Sequence, residues 1–81
     1  MNDINEKIID LIRNNTNHEI TNCLDIRERS IIELRFSINC KPHTLKKCGE
    51  LFNLSGESIR RIEAKALRKL RKEFIILHPT Q

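Results

Sequence analysis

Eighty-one residues allow one domain, near the lower size at which an apolar core is stable without disulfides, metal or a partner, and too small for an elaborate catalytic cleft. Ile, Leu, Lys, Arg and Glu dominate, aromatics are limited to three Phe, and only two Gly and two Pro interrupt the chain, a composition that favours helices. The formal net charge of +4 is unevenly divided: residues 1–40 hold five basic and seven acidic side chains and residues 41–81 hold ten and four, so a polyanion site belongs to the second half.

In chain order, MNDINEKIID lacks the basic start and apolar core of a secretion signal, and no later stretch approaches the roughly twenty apolar residues of a membrane span. A cytoplasmic location is expected, and an odd number of cysteines (Cys23, Cys40, Cys48) fits reduced thiols. Ile4, Ile8, Leu11 and Ile12 recur at helical spacing behind Asp3, which predicts an amphipathic helix over 4–13 ended by NNTN. A short helical turn is expected over 18–23. LDIRERSIIELRF opens with Asp25 and, three residues later, Glu28, a capping-box spacing that predicts a helix over about 26–36.

SINCKPH, with Pro42 inside it, reads as a loop, and Thr44 is placed to cap LKKCGELF, whose Leu45, Cys48, Leu51 and Phe52 share one face. After the break NLS a long helix is expected over about 56–73. Two helices joined by so tight a turn, the second long and basic, are the layout of a helix-turn-helix. The expected fold is therefore all-α, a small bundle of four to five helices with a long C-terminal recognition helix.

Phase separates core from surface along that last helix. At about 100° per residue, Ile59, Ile62, Ala66, Leu70 and Phe74 form one stripe with Leu67 at its border. The opposite face collects Glu57, Arg60, Arg61, Ala64, Lys65, Arg68, Arg71 and Lys72. A merely solvated helix interleaves opposite charges at i,i+4, and this face has little acid beyond Glu57. Arginine can donate twice to guanine and a carboxylate can accept from the cytosine amino group, so Glu57, Arg60 and Arg61 form a base-reading set for double-stranded DNA. Thr44, Lys46 and Lys47, at the start of the preceding helix, would meet the sugar-phosphate backbone. Single-stranded RNA suits the face less, because it lacks stacking aromatics.

LDIRERSIIELRF followed by TLKKCGELFNLSGESIRRIEAKALRKLRK resembles region 4, the C-terminal DNA-binding domain, of the primary sigma-70 family sigma factors of bacterial RNA polymerase, over roughly residues 24–72. The resemblance implies recognition of the minus-35 promoter element and docking on the flap of the polymerase beta subunit. Carried over position by position, it implies base-reading and adjacent contacts at Ser55, Gly56, Glu57, Arg60 and Arg61, and backbone contacts at Arg27, Arg35, Thr44 and Leu45. It further implies activator or partner contacts at Lys65 and Arg68, and flap contacts at Phe36, Leu67 and Leu70. Gly56 stands where the family usually has arginine and Arg61 where it has glutamine, which shifts the expected promoter preference. Lys46 and Lys47 replace two glutamates, at a helix-dipole cost of about a few tenths of a kcal/mol each.

His18, Cys23, Cys40, His43 and Cys48 lack a close Cys-x-x-Cys pair, and no nucleophile motif is present, so neither a metal, a cofactor, a small-molecule substrate nor an enzymatic activity is expected. The chain divides into N-terminal helices over 1–23, a region 4.1-like helix and loop over 24–43, the helix-turn-helix over 44–73 and an apolar tail over 74–81. That tail, FIIL ahead of Pro79, is expected to pack on Ile8, Leu11 and Ile12, and His78 to be solvated. The region of complete sigma factors that melts the minus-10 element has no counterpart here, so the expectation is an excised domain or a small free-standing protein that does not initiate transcription alone. A region 4-like protein that chiefly holds the flap or an anti-sigma partner remains the alternative.

Overall fold

The computed structural model describes residues 3–13, 18–38 and 40–77. They form α1 (Asp3–Arg13), a 3-10 segment (His18–Cys23), α2 (Ile26–Arg35), α3 (Leu45–Phe52) and α4 (Gly56–Leu77), an all-α arrangement with no strand among the described residues. The break at 14–17, the His18 side chain, His78 and the stop at Pro79 lie outside the described residues. No described helix is long and apolar enough to cross a membrane.

The helix starts follow the local chemistry. The Asp25 side chain accepts from the Glu28 N–H at 2.8 Å while Glu28 Oε1 accepts from the Asp25 N–H at 3.0 Å, closing the capping box of α2. Thr44 Oγ1 accepts from the Lys47 N–H at 3.0 Å at the start of α3, and Ser55 Oγ accepts from the Ser58 N–H at 3.1 Å at the start of α4. Between them Asn53 adopts the left-handed conformation (φ 57°), and the Leu54 N–H closes on the Gly49 carbonyl at 2.8 Å.

Gly49 is what lets α3 pass so near this turn. A Cβ there would overlap the Leu54 carbonyl oxygen, whereas one at Gly56 would meet Leu45 Cβ at 3.7 Å and the Leu45 carbonyl carbon and Lys46 nitrogen at 3.8 Å, all ordinary contacts.

Two apolar clusters share α4. The first joins Ile8 and Ile9 of α1, Ile20, Ile32, Ile38, Ala66 and Leu70, with Ile12, Phe36, Leu67 and Phe74 at its margin. The second joins Ile31, Cys48 and Ile59, with Leu34, Leu45, Phe52, Leu54 and Ile62 around them. Ile8, Ile20, Ile31 and Ile59 are fully buried, each contributing about 1.5–3 kcal/mol relative to exposure. Polar ties join α2 to the same helix. Lys69 Nζ donates to the buried Glu28 Oε1 at 2.8 Å, while Arg35 donates through Nε to Glu63 Oε1 at 2.5 Å and through Nη1 to the His43 carbonyl at 2.9 Å.

The structure corrects four expectations about the helices and the tail. α4 continues through Leu77 and absorbs the start of the tail, because Phe74 falls four residues after Leu70 on the same buried stripe. Phe74 joins Ile8 and Ile12 as expected, but Ile75 and Ile76, turned 100° and 200° further round, are 55% and 61% exposed. Leu51 is also exposed: α3 turns Cys48 and Gly49 inward, and Leu51 falls about 110° round from the middle of that pair. Arg71 is half-buried at the edge of the outward face, where its Nη1 donates to Asn5 Oδ1 of α1 at 3.3 Å.

The buried Glu28 both completes a cap and receives a lysine, so Glu28→Ala is expected to lower stability by about 1–3 kcal/mol in urea titration. The hydrogen bond from Lys69 to Glu28 raises the lysine pKa above 10.5, so its share of stability is full below that pH and is lost as pH rises through the raised value. Gly49→Ala should cost about 1–3 kcal/mol by the same titration, and Gly56→Ala less than about 0.5.

Candidate nucleic-acid interface

The first two turns of α4 and the first turn of α3 form one polar end of the domain. Ser55, Glu57, Arg60 and Arg61 are exposed there, beside exposed Thr44, Lys46 and Lys47. Between the two helix starts runs an open cleft of roughly 700 Å³ lined by Leu45, Lys46, Gly49, Glu50, Asn53 and Leu54 together with Ser55, Gly56 and Glu57. Gly49 and Gly56 contribute no side chain to it.

The three charged residues of the tip are already bonded to one another. Arg60 donates through Nε to Glu57 Oε1 at 2.9 Å and through Nη2 to Oε2 at 2.6 Å, a two-pronged pair, and Arg61 Nε reaches Oε2 at 3.3 Å. The hydrogen bonds from Arg60, then its charge, and then Arg61 hold the Glu57 carboxyl down to about 2. Glu57 is thus a carboxylate at any working pH. A depressed carboxyl contributes to stability above its ordinary value of 4.5, and that contribution is lost only as pH falls toward about 2. With one acid against two arginines the tip keeps a net positive charge, and it offers acceptor and donors side by side.

Further along the same outward face, Lys65, Arg68 and Lys72 are exposed in successive turns. Arg27 is exposed on α2. Arg35 is not set out toward solvent in the same way: its side chain is 27% exposed and bonded to Glu63 and the His43 carbonyl. Its guanidinium therefore ties the loop before α3 to α4, and an Arg35 substitution disturbs that loop.

Among the three residues assigned to the flap, Leu70 is fully buried and presents no surface, which corrects the expectation. It occupies the same core cluster as Ile8 and Ile9. Phe36 and Leu67 are half-buried at the margin of that cluster, and the Phe36 carbonyl accepts from Arg13 Nη2 at 2.8 Å. Cys48 is fully buried, burial pushes its thiol pKa up, and no three His, Cys, Asp or Glu residues converge among the described residues as a metal site requires.

Sequence reasoning passed over Glu63, Asn53 and Glu50. Glu63 is the acid that seats Arg35, but nothing in a pair 28 residues apart announces it. Asn53 was findable, because asparagine just after a helix tolerates the left-handed conformation that the tight turn needs. Glu50 faces Lys47 at 3.8 Å on the surface and moderates the charge of the α3 start.

The sequence model of the family described as sigma-70, region 4 matches residues 22–72, which span α2, α3 and most of α4. The RNA polymerase sigma factor RpoD of Neisseria gonorrhoeae is 45% identical over 64 residues, covering 78% of this chain and 9% of that protein. SigA1 of Synechococcus elongatus is 47% identical over 53 residues, 64% of this chain and 13% of that protein, and SigA of Microcystis aeruginosa is 43% identical over 63 residues. The chain therefore spans only 9–15% of the length of these relatives. No solved structure gives a significant match. The matched stretch contains the capped helix pair and the cationic tip just described, and the chain belongs to the sigma-70 region 4 family.

Proposed function

We propose that this chain binds double-stranded promoter DNA as a sigma region 4 module in transcription initiation, laying the start of α4 in the major groove over a minus-35-like element and docking on the flap of the polymerase beta subunit. The single observation that carries the reading is the exposed cluster Glu57, Arg60 and Arg61 at the tip of a capped helix, flanked by Lys46 and Lys47 on its partner helix. Family membership supports the choice of DNA and of RNA polymerase as partners. The role is binding, and no catalytic step is assigned to any residue.

In this account Ser55 and Gly56 bring backbone close to the groove, and Glu57, Arg60 and Arg61 read base edges. Thr44, Leu45, Lys46, Lys47 and Arg27 meet the phosphate backbone, the first two through the open N–H groups at the start of α3. The Glu57–Arg60 pair is solvent-exposed and hence weakly held, so DNA can redirect either partner. Glu57 then accepts from a cytosine amino group while Arg60 swings to guanine. Lys65 and Arg68 lie one and two turns beyond the tip and are assigned to an activator or other protein partner.

A second reading has the chain chiefly holding the flap or an anti-sigma partner, with weak DNA binding. The self-paired tip and the missing side chain at Gly56 favour it.

Fluorescence anisotropy with a minus-35-like duplex and a scrambled one separates the two. Arg60→Ala should weaken the specific duplex by about 5- to 100-fold and flatten the preference between duplexes, whereas Lys65→Ala should affect both equally or not at all. An equal loss on both duplexes for Arg60→Ala would make Arg60 a phosphate contact and leave base reading to Glu57 and Arg61. A parent protein that binds neither duplex but still captures the flap would establish the second reading.

A further inference from the structure

The family match begins at residue 22, which leaves α1 outside it, and the first core cluster is divided across that boundary. Ile32, Phe36, Ile38, Leu67 and Leu70 lie inside the matched stretch, and their apolar face is covered by the 3-10 segment through Ile20 and by α1. Ile8 and Ile9 of α1 cover α1's share of that face, at 0% and 5% exposure. Phe36 and Leu67, the two side chains assigned to flap docking that keep some surface, lie at the margin of the cluster that α1 completes, above the buried Leu70.

The attachment of α1 is of a kind that can be released. It has 11 residues, too short for a stable helix by itself in water, so its helicity and its packing stand or fall together. Two of its polar ties lie near its ends: Arg13 Nη2 to the Phe36 carbonyl at 2.8 Å at one, and Arg71 Nη1 to Asn5 Oδ1 at 3.3 Å nearer the other.

We propose that α1 is a built-in occupant of the partner-docking face, so that the flap of the polymerase beta subunit and α1 compete for the same apolar surface of α4 and of Phe36 just after α2. The inference rests on the flap-docking part of the function proposed above. Docking then requires α1 to leave, and the apparent flap affinity equals the intrinsic affinity scaled by the fraction of molecules in which α1 is detached. Loosening α1 strengthens flap binding up to the limit set by full detachment. DNA binding is unaffected, because α1 packs on the buried stripe of α4 and the tip residues Glu57, Arg60 and Arg61 are exposed on its other side.

The test uses the full chain and two substitutions in α1, Ile9→Ala and Arg13→Ala, with a synthetic peptide of the beta-subunit flap as probe. Hydrogen exchange followed by mass spectrometry should show α1 amides opening before those of α3 and α4 in the parent, and faster still in the variants. The flap peptide should bind Ile9→Ala about 3- to 10-fold more tightly than the parent, with duplex DNA affinity unchanged within about twofold. Arg13→Ala keeps the core intact and should shift flap binding in the same direction by a smaller factor, so the outcome can still be read if Ile9→Ala does not fold. Equal flap affinity in parent and variants would overturn the competition and leave flap docking standing. Weaker binding in the variants would make α1 part of the docking surface, also overturning it. A peptide that binds no form, even where exchange shows α1 open, would overturn the competition and flap docking together.

Discussion

One buried stripe on one helix organises this domain. Ile59, Ala66 and Leu70 of α4 are fully buried, and each remaining described element packs against that helix. A chain of this size has too little interior for independent layers, so its short helices are stable only as covers of a common long one. The ends of the stripe serve different ends of the molecule. Ile59 anchors α3 and the tight turn, whereas Leu70 and Phe74 anchor α1 and the 3-10 segment.

This arrangement explains why the tip can act as a reading head. The first turn of α4 is held by the Ser55 cap behind it, by Ile59 beneath it and by α3 alongside, with Gly49 permitting the close passage. Side chains that leave the helix on the other side are therefore presented from a rigid support, which positions them more accurately than a loop would. The Glu57–Arg60–Arg61 cluster keeps acceptor and donors side by side at the tip, while its exposure leaves each able to turn to DNA. Farther from the tip, Glu28–Lys69 and Arg35–Glu63 fix the angle between α2 and α4. That angle decides where Arg27 stands relative to the tip.

The parts legible in the sequence were those governed by local rules. The capping box at Asp25 and Glu28, the Thr44 cap and the period of the α4 stripe each depend on residues within one or two turns, and each is present in the structure. Periodicity names the inward face but not what covers it. The second role of Glu28, as the acceptor for a lysine 41 residues away, was therefore invisible, as was the sharing of Leu70's cluster with α1. Leu51 misled because an eight-residue helix packed on one side buries only a narrow strip. The end of α4 was misplaced because EFIIL contains no breaker, and Phe74 continues the buried period beyond the basic run.

The central claim is that the start of α4, with the start of α3 beside it, is the surface that meets DNA. Nuclear magnetic resonance of the 15N-labelled chain, titrated with a minus-35-like duplex, tests this directly by reporting which backbone amides change. The account predicts shift changes concentrated at Thr44–Lys47 and Ser55–Arg61, with the amides of α1 and the 3-10 segment nearly still. Changes centred on α1 or on the exposed Ile75 and Ile76, with the tip unmoved, would contradict it.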